Sequence, residues 1–142
     1  MQPLVSIIIT NYNYGRFLGE AIDSALAQTW PNKEVIVLDD ESRDDSIEVA
    51  CRYPVTVLAQ KNRGLSLARN NALTQASGEY VIFLDADDRL VPTAVEHLMA
   101  RLAQAPADKS IDTPLASFTM RVEHKGDRAQ VTTHIEYRKS RF

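Results

Sequence analysis

Three stretches of this chain are almost wholly apolar for five or six residues and then turn abruptly polar. They are Leu4–Ile9 (LVSIII), Glu34–Leu38 (EVIVL) and Tyr80–Leu84 (YVIFL). A strand covered by helices on both faces reads as a continuous hydrophobic run, whereas a half-exposed strand alternates. The first run ends in Thr10-Asn11-Tyr12-Asn13-Tyr14-Gly15, the second in Asp39-Asp40-Glu41, and the third in Asp85-Ala86-Asp87-Asp88. Carboxylates as close as Asp85, Asp87 and Asp88 repel one another unless positive charge sits among them. A hard divalent cation such as Mg²⁺ or Mn²⁺, itself bound to phosphate oxygens, is the usual compensation. The same residues also read as a polar turn with an acidic helix start at Asp88.

Helical spacing fills the intervals between these runs. Leu18, Ala21, Ile22, Ala25 and Leu26 predict a helix across Arg16–Thr29, stopped by Pro31 and Asn32. Asp44 or Asp45 is expected near the cap of a second helix carrying Ile47, Val49 and Ala50. Val55–Ala59 is a third, shorter strand. Ser66 is the expected N-cap of a helix over Leu67–Ala76, with a glycine C-cap at Ser77-Gly78. Pro92 opens a fourth helix carried by Val95, Leu98, Met99 and Leu102. Strand and helix in regular alternation predict right-handed crossovers and a mostly parallel sheet flanked by helices, a Rossmann-like α/β sandwich. Past the polar connection 105–114 the pattern alternates instead. Residues 115–137 therefore predict a β-hairpin turning near Gly126, an extension of a 4–104 core within one domain. The basic end, residues 138–142, reads as a solvated terminus, with contact to acidic lipid headgroups as the other reading.

Composition narrows the function. The 142 residues are 44% hydrophobic and 25% charged, ordinary for a globular protein. A net charge of -3 gives no basic footprint for nucleic acid, so an anionic ligand needs a local device. Cys51 is the only cysteine, which leaves no intrachain disulfide and no cysteine zinc cluster. The N-terminus lacks a signal-peptide pattern, and no apolar run is long enough to span a bilayer. The expectation is a soluble, cytoplasmic protein, peripheral at the membrane at most. An exposed sheet edge leaves room for a homodimer.

In an open parallel sheet, ligands bind beyond the carboxyl ends of the strands near a topological switch point, and the unusual polar residues fall at those ends. Nucleotide binding is the chemistry indicated. Tyr12 can stack on a base and Asp40 can accept hydrogen bonds from base or ribose. Arg69, in the first turn of its helix, can pair with a phosphate beside exposed helix N–H groups. Asp87, with or without Asp85, can hold a metal that bridges a diphosphate. The plainer readings are that Asp39 and Asp40 form a turn, that Arg69 is a surface ion-pair partner, and that Tyr12 and Tyr14 are core-edge aromatics. Asn70 and Asn71 are poor mid-helix residues and point to a local task. Gly64 stands alone, so no glycine-rich phosphate loop exists. His97, His124 and His134 lack metal-ligand spacing.

Four segments, VSIIITNYNYGRFLGEAIDSALAQTW, EVIVLDDESRDDS, NRGLSLARNNALTQASGEY and VIFLDADD, together resemble the family 2 glycosyltransferases, an inverting group with the GT-A fold. The resemblance covers Leu4–Leu102. It implies a nucleotide-sugar donor, UDP-linked in most members, a divalent metal (Mg²⁺ or Mn²⁺), and an acceptor the sequence does not specify. By position, Thr10 and Tyr12 would line the base pocket, with Asp39 and Asp40 as the acidic pair and Asp40 on the base. Arg69 would approach the base or diphosphate. Asp85-Ala86-Asp87 matches the DxD motif, with Asp87 as metal ligand and Asp85 nearer the ribose and metal. Glu41 departs from the family, which has glycine in this acidic loop, so a turn needing positive φ costs more here. The family's catalytic base has no counterpart, since Glu123, Asp127 and Glu136 sit in no recognisable base motif. A metal-dependent glycosyltransferase is the leading expectation. The alternative is a catalytically incomplete or truncated nucleotide-sugar-binding module acting with a partner. A nucleotidyltransferase fits less well, because Thr10–Gly15 is not a glycine-rich loop with a basic residue.

Overall fold

The computed structural model describes the backbone of residues 2–104, 115–123 and 128–137, with side-chain surroundings for residues 2–104. The elements run β1 (Val5–Asn11), α1 (Gly15–Leu26), β2 (Lys33–Asp39), α2 (Ser46–Ala50), β3 (Thr56–Ala59), α3 (Leu65–Gln75), β4 (Tyr80–Asp85) and α4 (Ala94–Gln104). Two further strands, β5 (Leu115–Glu123) and β6 (Arg128–Tyr137), follow. The sheet order is β3-β2-β1-β4-β6-β5. The first four strands are parallel, while β6 is antiparallel to β4 and β5. The hairpin turn expected near Gly126 and the basic end lie outside the described residues.

The chain steps from β1 to β2 to β3 in one direction and then returns to set β4 on the far side of β1. With right-handed crossovers, that reversal puts the helices of the outward steps on one face and the returning helix on the other. Leu18, Ala21, Ile22 and Ala25 of α1 accordingly pack with Ala50 of α2 and Val95 and Leu98 of α4 over Ile7, Ile9, Val35 and Val37. Helix α3 covers the opposite face, where Ala68 and Ala72 meet Ile8, Ile36, Leu38 and Val81. Every residue of β1 is buried, which is why apolar residues stand on both faces of the strand rather than alternating with polar ones. Full burial of side chains such as Ile7, Leu18 and Ile22 stabilises the fold by about 1.5–3 kcal/mol each.

Both central strands run further than the apolar code indicates, because the parallel ladder continues through polar residues. Asn11 is in register with Asp39, and the Asp40 N–H donates to the Asn11 carbonyl at 2.9 Å. Helix α1 begins at Gly15 and ends at Leu26, inside the Arg16–Thr29 expectation at its far end.

Two caps differ from expectation. Ser66 lies inside α3, and Gly64 is the N-cap at φ 88 without a side-chain cap bond. Glycine takes that positive φ without steric cost, so the helix starts at Leu65, two residues earlier than a cap at Ser66 would set it. Gly78 is not the C-cap either. Helix α3 ends at Ala76 in an extended conformation, and Gly78 lies where the chain passes close to β1. A Cβ there would stand 2.6 Å from the Ser6 nitrogen and 2.8 Å from the Tyr80 carbonyl oxygen. This crossing is tied by Glu34, whose Oε1 accepts from the Ser6 hydroxyl at 2.5 Å and from the Ser77 N–H at 2.6 Å.

Candidate functional site

The topological switch point lies between β1 and β4, and Thr10 and Asp85 stand opposite each other there. Neighbouring strands are about 4.7–4.9 Å apart, so the two residues adjoin at the carboxyl edge. Alternation puts Thr10 on the face of Ile8, and Asp85 on that of Phe83 and Val81, the face covered by α3. Arg69 reaches the same place from α3: its Nη2 donates to Asp85 Oδ1 at 3.2 Å, and its guanidinium carbon lies 5.1 Å from the centre of the Phe83 ring. Two polar atoms here are buried without a hydrogen-bond partner, Thr10 Oγ1 and Arg69 Nε. Buried polar atoms in native proteins are nearly always paired, so such a cluster is a place where a ligand's polar groups fit.

Asp40 forms the next part of this edge. Its Oδ1 accepts from Gln60 Nε2 at 2.8 Å and from the Arg63 N–H at 3.2 Å, and its Oδ2 accepts from the Gly64 N–H at 3.2 Å. Gln60 in turn accepts from Asn71 Nδ2 at 2.8 Å. Asp40 therefore orders the loop that leads into α3, and Asn71 completes the brace, which is the local task its poor helix propensity pointed to. Neither Gln60 nor Phe83 stood out in the sequence. Gln60 is one polar residue after a short strand, and Phe83 reads only as part of an apolar run.

Asp39, one residue earlier, faces the other way. Its carboxylate accepts from Asn11 Nδ2 at 2.7 Å, from the Ser42 N–H at 2.8 Å and from the Ser42 hydroxyl at 2.5 Å. The Ser42 hydroxyl oxygen also accepts from the Asn13 N–H at 2.8 Å, and Asn13 Oδ1 accepts from the Arg43 N–H at 2.7 Å. The loops after β1 and β2 are thus laced together on the α1 side. The turn between them holds Glu41 at φ 66, and Asn13 sits at φ 58. Asp44 closes the lacing: its Oδ2 accepts from the Gly15 N–H at 2.8 Å, at the start of α1. Burial pushes the Asp44 carboxyl upward, but the hydrogen bonds from Ser46 and Gly15 together outweigh it, and the group sits below the usual carboxylate range.

Tyr12 and Tyr14 are not core-edge aromatics; each is 44% exposed at the rim. Asp85 and Asp87 both face solvent, whereas Asp88 is buried and its N–H closes a turn onto the Asp85 carbonyl at 3.0 Å. Three carboxylates around one cation are therefore not assembled. Among the described residues no group of three or more His, Cys, Asp or Glu side chains is gathered for a metal. Two solvent-facing carboxylates still fit Mg²⁺ or Mn²⁺, which commonly take one or two protein carboxylates and complete their shell with phosphate and water oxygens. Among the described residues, no helix is long and apolar enough to cross a membrane.

A parallel sheet with polar residues converging at its switch point defines an open α/β class that takes its ligands at this edge. The profile of Glycosyl transferase family 2 matches residues 6–141, and the chain belongs to that family. Among its relatives, the uncharacterized glycosyltransferase YibD of Escherichia coli is 39% identical over 109 residues, covering 73% of this chain and 32% of that protein. TarS of S. aureus in complex with UDP-GlcNAc superposes with a TM-score of 0.64 at 29% identity, covering 70% of this chain and 31% of that one. The mannosyltransferase PcManGT of Pyrobaculum calidifontis, with GDP-Man and Mn²⁺, gives 0.63 at 28% identity, covering 80% of this chain and 35% of that one. The four parallel strands with helices on both faces are the GT-A arrangement of these neighbours. The chain spans about a third of the length of the curated relatives it matches.

Proposed function

We propose that this chain binds a nucleotide-sugar donor, UDP-linked, at the β1/β4 switch point, and that the protein transfers the sugar to an acceptor hydroxyl. The observation that carries this is the meeting of Thr10, Arg69 and Asp85 at one sheet edge, with Thr10 Oγ1 and Arg69 Nε buried and unpartnered. Tyr12, exposed at the rim, offers its ring to the base. Thr10 and Asp40 lie nearest to where base and ribose would sit, and Asp39 holds the turn that positions Asp40. Arg69 turns cationic N–H groups toward the diphosphate, an arrangement suited to phosphate oxygens. Asp85 and Asp87 would hold Mg²⁺ or Mn²⁺. A divalent cation there supplies charge for the departing nucleoside diphosphate. The binding of UDP-GlcNAc by TarS and of GDP-Man with Mn²⁺ by PcManGT supports a nucleotide-sugar donor and a divalent cation.

The test is calorimetric titration of UDP, with GDP and dTDP as controls, with and without Mn²⁺. UDP binding should require Mn²⁺, disappear on chelation, and weaken at least tenfold in Asp87→Ala, whose side chain makes no structural bond described above. Metal-independent binding unchanged in Asp87→Ala would remove the carboxylates from the site. Binding without donor hydrolysis or transfer would instead assign the chain as a donor-binding module.

A further inference from the structure

Arginine 69 has an unusual seat. Phe83 and Asp85 alternate with Leu84 on β4, so their side chains stand on one face about 6.5–7 Å apart along the strand. The guanidinium lies over the Phe83 ring at 5.1 Å and reaches Asp85 at 3.2 Å. The ring lies beneath the cation and the carboxylate beside it. Val81, the previous residue on that face, is fully buried beneath α3, whereas Phe83 is only partly covered and Arg69 lies over it. The helix offers little else to this end of the sheet, since its buried residues are Ala68 and Ala72.

The two contacts differ in what they can hold. The ion pair is 36% exposed on the arginine side and 51% on the aspartate side, and pairs so exposed fix little. The ring attracts the cation through its quadrupole and so favours the guanidinium's place over its face. It does so at a residue whose side chain otherwise has many rotamers to lose on binding. It also leaves the N–H groups not used by Asp85 free to meet an incoming anion.

We propose that Phe83 is a positioning residue for the nucleotide, acting through Arg69: its ring seats the guanidinium ready for the diphosphate before the ligand arrives. This rests on the nucleotide-binding reading of the same site, and the experiment separates the two. UDP is titrated with Mn²⁺ into the wild type, Phe83→Leu, Phe83→Tyr, Arg69→Ala and the Phe83→Leu/Arg69→Ala double variant, with thermal unfolding recorded for each. Loss of the ring should weaken UDP roughly 3- to 30-fold, the range that a cation–π contact spans between exposed and desolvated sites. Phe83→Tyr, which keeps the ring, should bind within about twofold of wild type. In the Arg69→Ala background, removing the ring should cost nothing further, because two residues acting as one unit are non-additive.

A purely packing role for Phe83 predicts something else: equal losses from Phe83→Leu with and without Arg69, in step with lowered thermal stability. That outcome, or unchanged binding by a folded Phe83→Leu, overturns the proposal and leaves the site reading standing. Should Phe83→Leu not fold, Phe83→Trp takes its place, and a retained ring that fails to preserve affinity counts against the seat. Absence of nucleotide binding by the wild type overturns the site reading itself and the role of Phe83 with it.

Discussion

Glutamate 41 occupies the left-handed region at φ 66, a conformation that costs an L-residue roughly 1–2 kcal/mol. Its compensation is a bond from the Asn62 N–H to Oε2 at 3.1 Å on the exposed surface, and such a bond contributes about 0.5–1.5 kcal/mol at most. Glu41→Gly should therefore raise stability by about 0.5–1 kcal/mol, read as a higher urea midpoint at unchanged slope. A lower midpoint would mean that the Asn62 contact outweighs the backbone strain. A second residue sets an acid dependence. The Asp44 carboxyl lies below its ordinary range in the folded protein, so the unfolded chain binds its proton first as pH falls. The stabilisation is complete above the unfolded value of about 3.9 and is lost as pH drops through the folded one. Asp44→Asn should lower the melting temperature near about pH 6, and its difference from wild type should shrink as pH falls below the unfolded carboxylate value of about 3.9. A difference that stays the same size as the pH is lowered would show that the charge is not what matters. At this scale the sequence spoke unevenly. Glu41 was visible as an odd residue in an acidic turn, and Asn71 as a poor helix former. Asn13, which takes positive φ just as Glu41 does, gave no sign, since asparagine is ordinary in any loop.

The elements divide into well-anchored and weakly anchored ones. Helix α1 buries Leu18 and Ile22 among its five buried residues, whereas α3 buries only Ala68 and Ala72. At about 25 cal/mol per Å² of apolar surface, two buried alanines with the partly buried Leu73 anchor α3 less than fully buried leucine and isoleucine anchor α1. The amides of α3 should therefore exchange with solvent through local opening at lower free energy than those of α1 and β1. Saturating UDP and Mn²⁺ should slow α3 exchange selectively, because the ligand would bridge Arg69 of α3 to Asp85 of β4. Uniform protection across the molecule would argue against that bridge. Central strands were legible because helices on both faces leave an unbroken apolar run. The two caps of α3 were not: serine and glycine each carry a cap signal, and the choice between Gly64 and Ser66 depends on a backbone angle that the residue names do not encode. The alternation of side chains at the strand ends was also hidden. Asp39 and Asp40 look equivalent in the sequence, yet one laces two loops on the α1 side and the other orders the loop into α3.

Across the whole molecule, strand order does most of the positioning. The reversal between β3 and β4 creates the switch point, and the β1/β4 register brings Thr10 to Asp85 without either side chain having to specify it. The lacing of Asn11, Asp39, Ser42, Asn13 and Asp44 gives that edge one wall fixed by interlocking hydrogen bonds. The opposite wall is α3, which rests on Ala68, Ala72 and the partly buried Leu73 and is tied by the Asn71–Gln60 brace and an exposed ion pair. A ligand arriving there meets one surface already set and another that it must itself help to hold. Related nucleotides should consequently enter at similar rates and differ mainly in how long they stay, because residence time reflects how well each keeps the softer wall in place.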